Sequence, residues 1–396
     1  MRKVLLLWLA TALVHGWLIL ETWMNPQTSP FNDINLYGAW VDQMTKGHYL
    51  LGVNQPWVYP FVALVPMFLA KLIGGSAGVM SGWLILVFVL NAVGLSAIVD
   101  WGKGAKSSFY AAGFYLAYLA ALGSVSIGRI DSVATYLALL GLVQLYRDRV
   151  QWAMICFTLG AWIKIWPVAA AVSAFVATKQ RLKAFYAAAG AVVGVLLVGL
   201  LLGGNQSLFS FVSMQGSRGI QVESPVATFW IWAALFKAPG VRIYFDQQLI
   251  TVQVAGAYTS EVSTLMGLAM PLALAITVWL GWRAHRAGTD SKLIFAAMSL
   301  TAVLDLIVFN KVGSPQYDGW LAIPVMAGLL FGYPRWRTAV VGILAIGVLT
   351  NLIYPVFYSD LMSLQLFAVL LITLRNATLI AMLVWANRRL SQLAAL

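Results

Sequence analysis

Apolar runs long enough to cross a hydrocarbon core, about 20 residues at 1.5 Å rise, recur along the whole chain with short polar breaks. No other feature constrains the fold as much. With 61% hydrophobic and only 10% charged residues, the 396-residue chain cannot cover a water-soluble globule with charge. The pattern predicts an all-α, polytopic membrane helix bundle with no large soluble domain attached. Arg2-Lys3 precede an apolar run from Val4 to about Trp23, and no small-x-small cleavage site follows it. That arrangement reads as an uncleaved first helix.

The net charge of +12 suits either nucleic acid or orientation in a membrane, and the placing of the basic residues decides. They fall at the ends of apolar runs and form no long basic stretch, which excludes nucleic acid as a partner. With the N-terminus in the cytoplasm, spans near 4–24, 78–99, 108–127, 132–146, 150–164, 166–178, 184–203, 261–282, 293–310, 318–333, 338–356 and 361–386 make about twelve transmembrane helices and return the C-terminus inside. Clusters such as Lys179-Arg181-Lys183 and Arg283-Arg286 then face the cytoplasm. The stretch from Tyr59 to Ile73 must lie along the outer interface, because a crossing there would turn those clusters outward. Its Pro60 and Pro66 and its length of about 22 Å agree. Two large external segments result within a single transmembrane domain 1–396: 25–77, with interfacial helices, and 204–260. Function is expected there.

The expected outer face carries both signs of charge, which suits a reaction on a charged lipid head group. Cations would hold a phosphate and a carboxylate would handle a proton. Asp33 follows the first span in a segment turned back toward the membrane, so it is a candidate base and a candidate N-cap for a helix Ile34–Lys46, two roles that do not exclude each other. Asp42, nine residues on, is expected to point away and be solvated. Arg129 and Asp131 interrupt two apolar runs. Arg129 either pins a phosphate bidentately or forms a surface pair with Asp131. Lys164, between Trp162 and Trp166, either meets a ligand or snorkels to lipid head groups.

The segment 215–225 brings Arg218, Gln221 and Glu223 together with two glycines, as a ligand loop or as a turn-rich connection. The segment 310–318 supplies Lys311, Ser314, Gln316 and Tyr317 with similar chemistry. His15, His48 and His285 are scattered and Cys156 stands alone, so neither a metal cluster nor a disulfide is expected. The chain has no G-x-x-x-x-G-K-[ST] loop for an ATP-driven pump and no G-x-S-x-G elbow.

These motifs carry a resemblance. The placing of Asp33 is similar to that of the loop aspartate in membrane glycosyltransferases of the C superfold. Trp57-Val58-Tyr59-Pro60, Arg129-Ile130-Asp131, Trp162-Ile163-Lys164-Ile165-Trp166-Pro167, Arg218-Gly219-Ile220-Gln221-Val222-Glu223-Ser224 and Lys311-Val312-Gly313-Ser314-Pro315-Gln316-Tyr317 resemble actinobacterial family 87 polyprenol-phosphate-mannose-dependent alpha-mannosyltransferases. The likeness spans residues 30–320. It implies Asp33 as general base, a polyprenyl-phosphate-mannose donor, a glycolipid or lipoglycan acceptor, inversion, and Arg129, Lys164, Arg218 and Lys311 as candidate phosphate ligands. Asp131, Gln221, Glu223, Ser314, Gln316 and Tyr317 complete the expected donor site, with Tyr37 and Tyr59 supporting the first loop. No cofactor or metal is expected. The rival is a transporter or flippase of a sugar-lipid, for which Asp305 and Arg375, expected as a pair within the membrane, are the only features.

Overall fold

The computed structural model describes residues 2–25, 29–214, 218–247, 251–332 and 334–395, and most of them are helical. The chain opens with α1 (Arg2–Met24), α2 (Asn32–Gly47), α3 (Leu64–Gly74) and α4 (Gly78–Ile98). Next come α5 (Lys106–Leu122), α6 (Asp131–Tyr146), α7 (Val150–Ala161), α8 (Val168–Ala177) and α9 (Arg181–Leu201). A less regular stretch holds α10 (Ser210–Ser213), α11 (Thr228–Leu235), β1 (Arg242–Asp246) and β2 (Thr251–Ala255). The chain ends with α12 (Thr259–Arg286), α13 (Ser291–Val308), α14 (Ala322–Gly332), α15 (Arg337–Asn351), α16 (Tyr358–Met362) and α17 (Leu366–Ala394).

Seven helical stretches among the described residues are long and apolar enough to cross a membrane, and they contain α1, α4, α9, α12, α13, α15 and α17. Helices α5 to α8 and α14 account for the rest of the expected spans. At 12 and 10 residues, α7 and α8 reach only about 18 and 15 Å, so each crosses about half of a 30 Å hydrocarbon core. They form a hairpin whose turn, residues 162–167, carries Lys164. The result is an all-α polytopic membrane bundle, with α13 buried on all sides and α12 and α9 largely exposed on its flanks.

The stretch Tyr59–Ile73, expected along the outer interface, holds most of α3, which is separated from α4 by a reversal of the chain. Helix α3 ends at Gly74, the chain reverses through Gly75 (φ 47°) and Gly78 (φ 87°), and α4 packs back along α3. These left-handed positions favour glycine. The two backbones touch at Gly82, where an added Cβ would run into the carbonyl oxygen of Ala70. Gly82→Ala is therefore expected to cost about 1–3 kcal/mol by overpacking, read as a lowered thermal midpoint in detergent.

Two features were not read from the sequence. Strands β1 and β2 pair antiparallel within 204–260, and Ile220 and Val222 extend the ladder through Val254 N–H to Ile220 O (3.0 Å) and Val222 N–H to Val252 O (3.0 Å). Val252 and Val254 do alternate with Thr251 and Gln253, which is the period of a strand. At the far end of α1, buried Glu21 accepts hydrogen bonds from Ser124 N–H and Asn351 Nδ2, both at 2.6 Å. The ends of α1, α5 and α15 are thus fixed together, and the candidate residues gather at this end of the bundle.

Candidate active site

Asp33 lies in the first turn of α2, whose N-cap position is Phe31 with no side-chain cap. Asp33 therefore does not cap α2. Its carboxylate forms an ion pair with Arg129 Nη1, and Arg129 Nη2 donates to the Tyr354 hydroxyl at 3.0 Å. Arg129 Nε is buried without a partner. The surface pair between Arg129 and Asp131 is not formed. Asp42, by contrast, pairs with Lys71 on the exposed side of α2. Tyr37, also on α2, is fully buried, and its hydroxyl accepts from Ile130 N–H at 3.0 Å, which docks α2 onto the turn that presents Arg129.

Asp131 faces the other way. Its Oδ1 accepts from Trp320 Nε1 at 2.7 Å, and its Oδ2 lies 3.7 Å from Lys164 Nζ. Lys164 is 14% exposed, so it does not snorkel. Its ammonium sits 4.7 Å from the ring centre of Tyr59 and 5.7 Å from that of Tyr317. Burial by itself would lower the Lys164 pKa, but Asp131, Tyr59 and Tyr317 outweigh it and hold the group charged above its ordinary range. Burial raises the pKa of both tyrosines, with Lys164 pulling the other way. An ammonium has three donors, and one loose carboxylate and two ring faces leave it able to bind an anion. Tyr317 stacks on Trp320 at 4.3 Å, and Trp320 on Trp166 at 5.9 Å, so the platform under Lys164 is rigid.

The loops 218–224 and 310–318 meet. Gln221 N–H donates to Lys311 O at 2.9 Å, and Gly313 lies so close to Ser224 that a Cβ there would strike the Ser224 nitrogen. Arg218 acts electrostatically on Lys164, Tyr59 and Tyr317, and its Nε is buried without a partner. Gln221 Nε2 is unpartnered too. Ser314 donates to Gln316 Oε1 at 2.6 Å, which ties those two side chains to each other.

Arg375, expected beside Asp305, instead donates to Asp318 Oδ2 (3.2 Å) and to Glu223 O (2.6 Å). Asp305 accepts from Thr277 at 2.6 Å. The membrane pair on which a transporter reading leaned is therefore absent: Asp305 has a hydroxyl partner nearby, and Arg375 is held by loops at the end of the bundle. Tyr354, Trp320 and Arg375 were not read as site residues. Tyr354 and Trp320 lie inside or at the edge of apolar runs, where sequence shows no sign of a polar contact, and Arg375 was read as half of a pair within the membrane.

Glu223 is 6% exposed, and its Oε2 has no partner. Burial pushes its pKa up to about 7, with Arg375 opposing and Asp318 reinforcing the shift. An acid whose folded pKa is raised binds a proton in the folded state that the unfolded state has released. Stability is then greatest below its ordinary value of 4.5 and falls as pH rises to about 7. Glu223→Gln is expected to remove that slope in thermal midpoints measured from pH 4.5 to 8. An unchanged slope would show that another group titrates.

The geometry is two carboxylates, Asp33 and Asp131, each beside one cation, at the meeting of α2, the α5–α6 turn, the α7–α8 turn and two loops. A search of curated proteins finds no match to the chain. A family model described as Glycosyltransferase family 87 matches residues 57–309, which takes in Tyr59, Arg129, Asp131, Lys164, Arg218, Gln221 and Glu223. Asp33, Tyr37 and the residues from Lys311 to Tyr317 lie outside the match. With more than half of the chain matched and a helical membrane bundle to hold it, the protein belongs to glycosyltransferase family 87 and is a membrane glycosyltransferase.

Proposed function

We propose that the chain transfers mannose from a polyprenyl-phosphate donor to a hydroxyl of a glycolipid or lipoglycan, with inversion, on the extracytoplasmic face of the cell membrane. The termini are then cytoplasmic, and segments 25–77 and 204–260 flank the site outside. The observation that carries this reading is the ion pair of Asp33 with Arg129, two residues along the chain from the contact of Asp131 with Lys164. A base and two cations at the boundary of a membrane bundle match a donor whose tail stays in lipid while its phosphate and sugar meet fixed charge. Reduced access of water makes each charge count for more there.

In this reading the Asp33 carboxylate takes the proton of the acceptor hydroxyl as its oxygen attacks the anomeric carbon. The bond from that carbon to the phosphate oxygen breaks, and the electron pair leaves with the phosphate. Lys164 and Arg129, with Arg218 and Lys311 in support, stabilise the growing charge. Gln221, Glu223, Ser314, Gln316 and Tyr317 supply hydrogen-bond partners for sugar and phosphate.

The purified protein in lipid nanodiscs is expected to move radiolabelled mannose from polyprenyl-phosphate mannose to a membrane lipid extract, and to move none from a nucleotide sugar. Transfer from the nucleotide sugar alone would overturn the donor. A labelled product from polyprenyl-phosphate glucose but not mannose would keep the mechanism and replace the sugar.

A further inference from the structure

A cavity of about 440 Å³ opens where the turn from α12 to α13 meets the end of α17 and the turn that precedes α15. Helix α13 starts at this cavity and ends beside the loop 310–318, so its 18 residues, about 27 Å, separate the cavity from the candidate active site. Three side chains in the lining are charged: Asp290, Arg335 and Arg389.

The wall of the cavity is built from its own hydrogen bonds. Thr289 Oγ1 donates to the Leu393 carbonyl at 2.9 Å, which ties the α12–α13 turn to α17. Asp290 Oδ1 accepts from the backbone N–H groups of Lys292 (2.7 Å) and Leu293 (3.3 Å), so this carboxylate is engaged as the cap of α13. The two arginines are not engaged in that way. Among the described residues neither forms an ion pair, and Arg389 Nη1 makes a long hydrogen bond of 3.4 Å to Gln392 Oε1. Arg335 is close enough for its charge to act on Arg389. Orientation in a membrane calls for arginines at this end of the bundle, but not for two that repel each other across one cavity.

The cavity also has an apolar neighbour. Gln392 borders an adjoining hollow of about 480 Å³ on α17, together with Arg388, Leu383 and Val384. Val384 is 44% exposed on a helix apolar and long enough to span a membrane. A ligand that fits both parts has an anionic head with the planar guanidinium forks around it and a hydrocarbon chain beside α17.

We propose that Arg335 and Arg389 bind the phosphate of an anionic phospholipid, whose acyl chain follows α17 past Val384. Two guanidiniums against one carboxylate leave the lining positive, and Arg388 on the adjoining hollow adds to it. A zwitterionic lipid would bring its own ammonium into that field, so charge complementarity selects a head group with none. The bound phosphate relieves the repulsion between the arginines and joins the α12–α13 turn, the turn before α15 and α17 at one point. The topology proposed above puts the lipid in the cytoplasmic leaflet, but the binding itself depends neither on that topology nor on the sugar donor.

The test titrates the purified full-length protein in detergent with phosphatidylglycerol or phosphatidylcholine and reads bound lipid by native mass spectrometry. Wild type is expected to retain phosphatidylglycerol in preference. Arg335→Gln with Arg389→Gln should weaken phosphatidylglycerol binding about thirtyfold, the product of about fivefold for each arginine lost. Phosphatidylcholine binding should stay as it is, and the thermal midpoint without lipid should not fall, because the variant removes a repulsion. Lys106→Gln takes an exposed cation from the start of α5, at the same end of the bundle, and should leave both lipids unaffected. If the double variant does not fold, Arg335→Gln alone, at an exposed residue, carries the test at about fivefold. Equal weakening by Lys106→Gln, or no preference of wild type for phosphatidylglycerol, would overturn the assignment. Inorganic phosphate that displaces the lipid at equal concentration would show a site for the free anion and overturn it as well.

Discussion

Asp33→Asn is expected to lower mannose transfer by about 10²–10⁴-fold, the usual contribution of a general base, at matched levels of folded protein. The substitution keeps the shape of the side chain and an oxygen for Arg129, and removes the ability to take a proton. Its effect on stability should stay within about 1 kcal/mol, because the ion pair is partly open to water, with Asp33 30% exposed. Donor affinity is the informative control. In the structure the carboxylate is bound to Arg129, and a carboxylate paired with a guanidinium is a weak base. A donor phosphate that competes for Arg129 would loosen the pair and free Asp33 when the sugar is in place. Lost transfer with unchanged donor binding supports that role, whereas lost donor binding would mean that Asp33 serves only to hold Arg129.

Arg375→Met should produce the largest loss of stability, about 3–5 kcal/mol. Total stabilities are typically about 5–15 kcal/mol, so the yield of folded protein should drop sharply. The cause is local. Asp318 is 1% exposed, and among the described residues its Oδ2 is held by Arg375 and Thr350, so the variant leaves a carboxylate buried without its cation. The Glu223 carbonyl loses its donor at the same time. Adding Asp318→Asn removes the stranded charge and is expected to recover part of the loss in thermal midpoint. A single variant as stable as wild type would show that water replaces the guanidinium.

Much of this arrangement was legible because membrane sequences separate their signals. Long apolar runs fixed the helices, and isolated charges at their ends marked Arg129, Asp131 and Lys164, since an ionisable group in such a place needs a physical reason. The pairing was not legible. Arg129 and Asp131 are two residues apart and of opposite sign, yet they point to different partners, Asp33 and Lys164, because each begins or precedes a helix turn that rotates the next side chain away. Trp320 and Tyr354 gave no sign at all, since an aromatic residue in an apolar run looks the same whether its polar atom is used or not. The β1–β2 ladder was hidden for another reason. Its five-residue strands lie in a segment read for loop chemistry, and a period of two over so few residues is a weak signal.

The position of Arg375 also bears on the order in which the protein is made. Synthesis starts at the amino end, so Glu223 and Asp318 leave the ribosome well before the arginine that fastens both of their loops. Until α17 inserts, the two loops have only their direct contact, Gln221 N–H to Lys311 O, among the described contacts between them, and the carboxylate of Asp318 lacks the guanidinium of Arg375. The final helix therefore acts as a completion signal: a nascent chain, or one cut short before it, carries both loops without the arginine that clasps Asp318 and the Glu223 carbonyl.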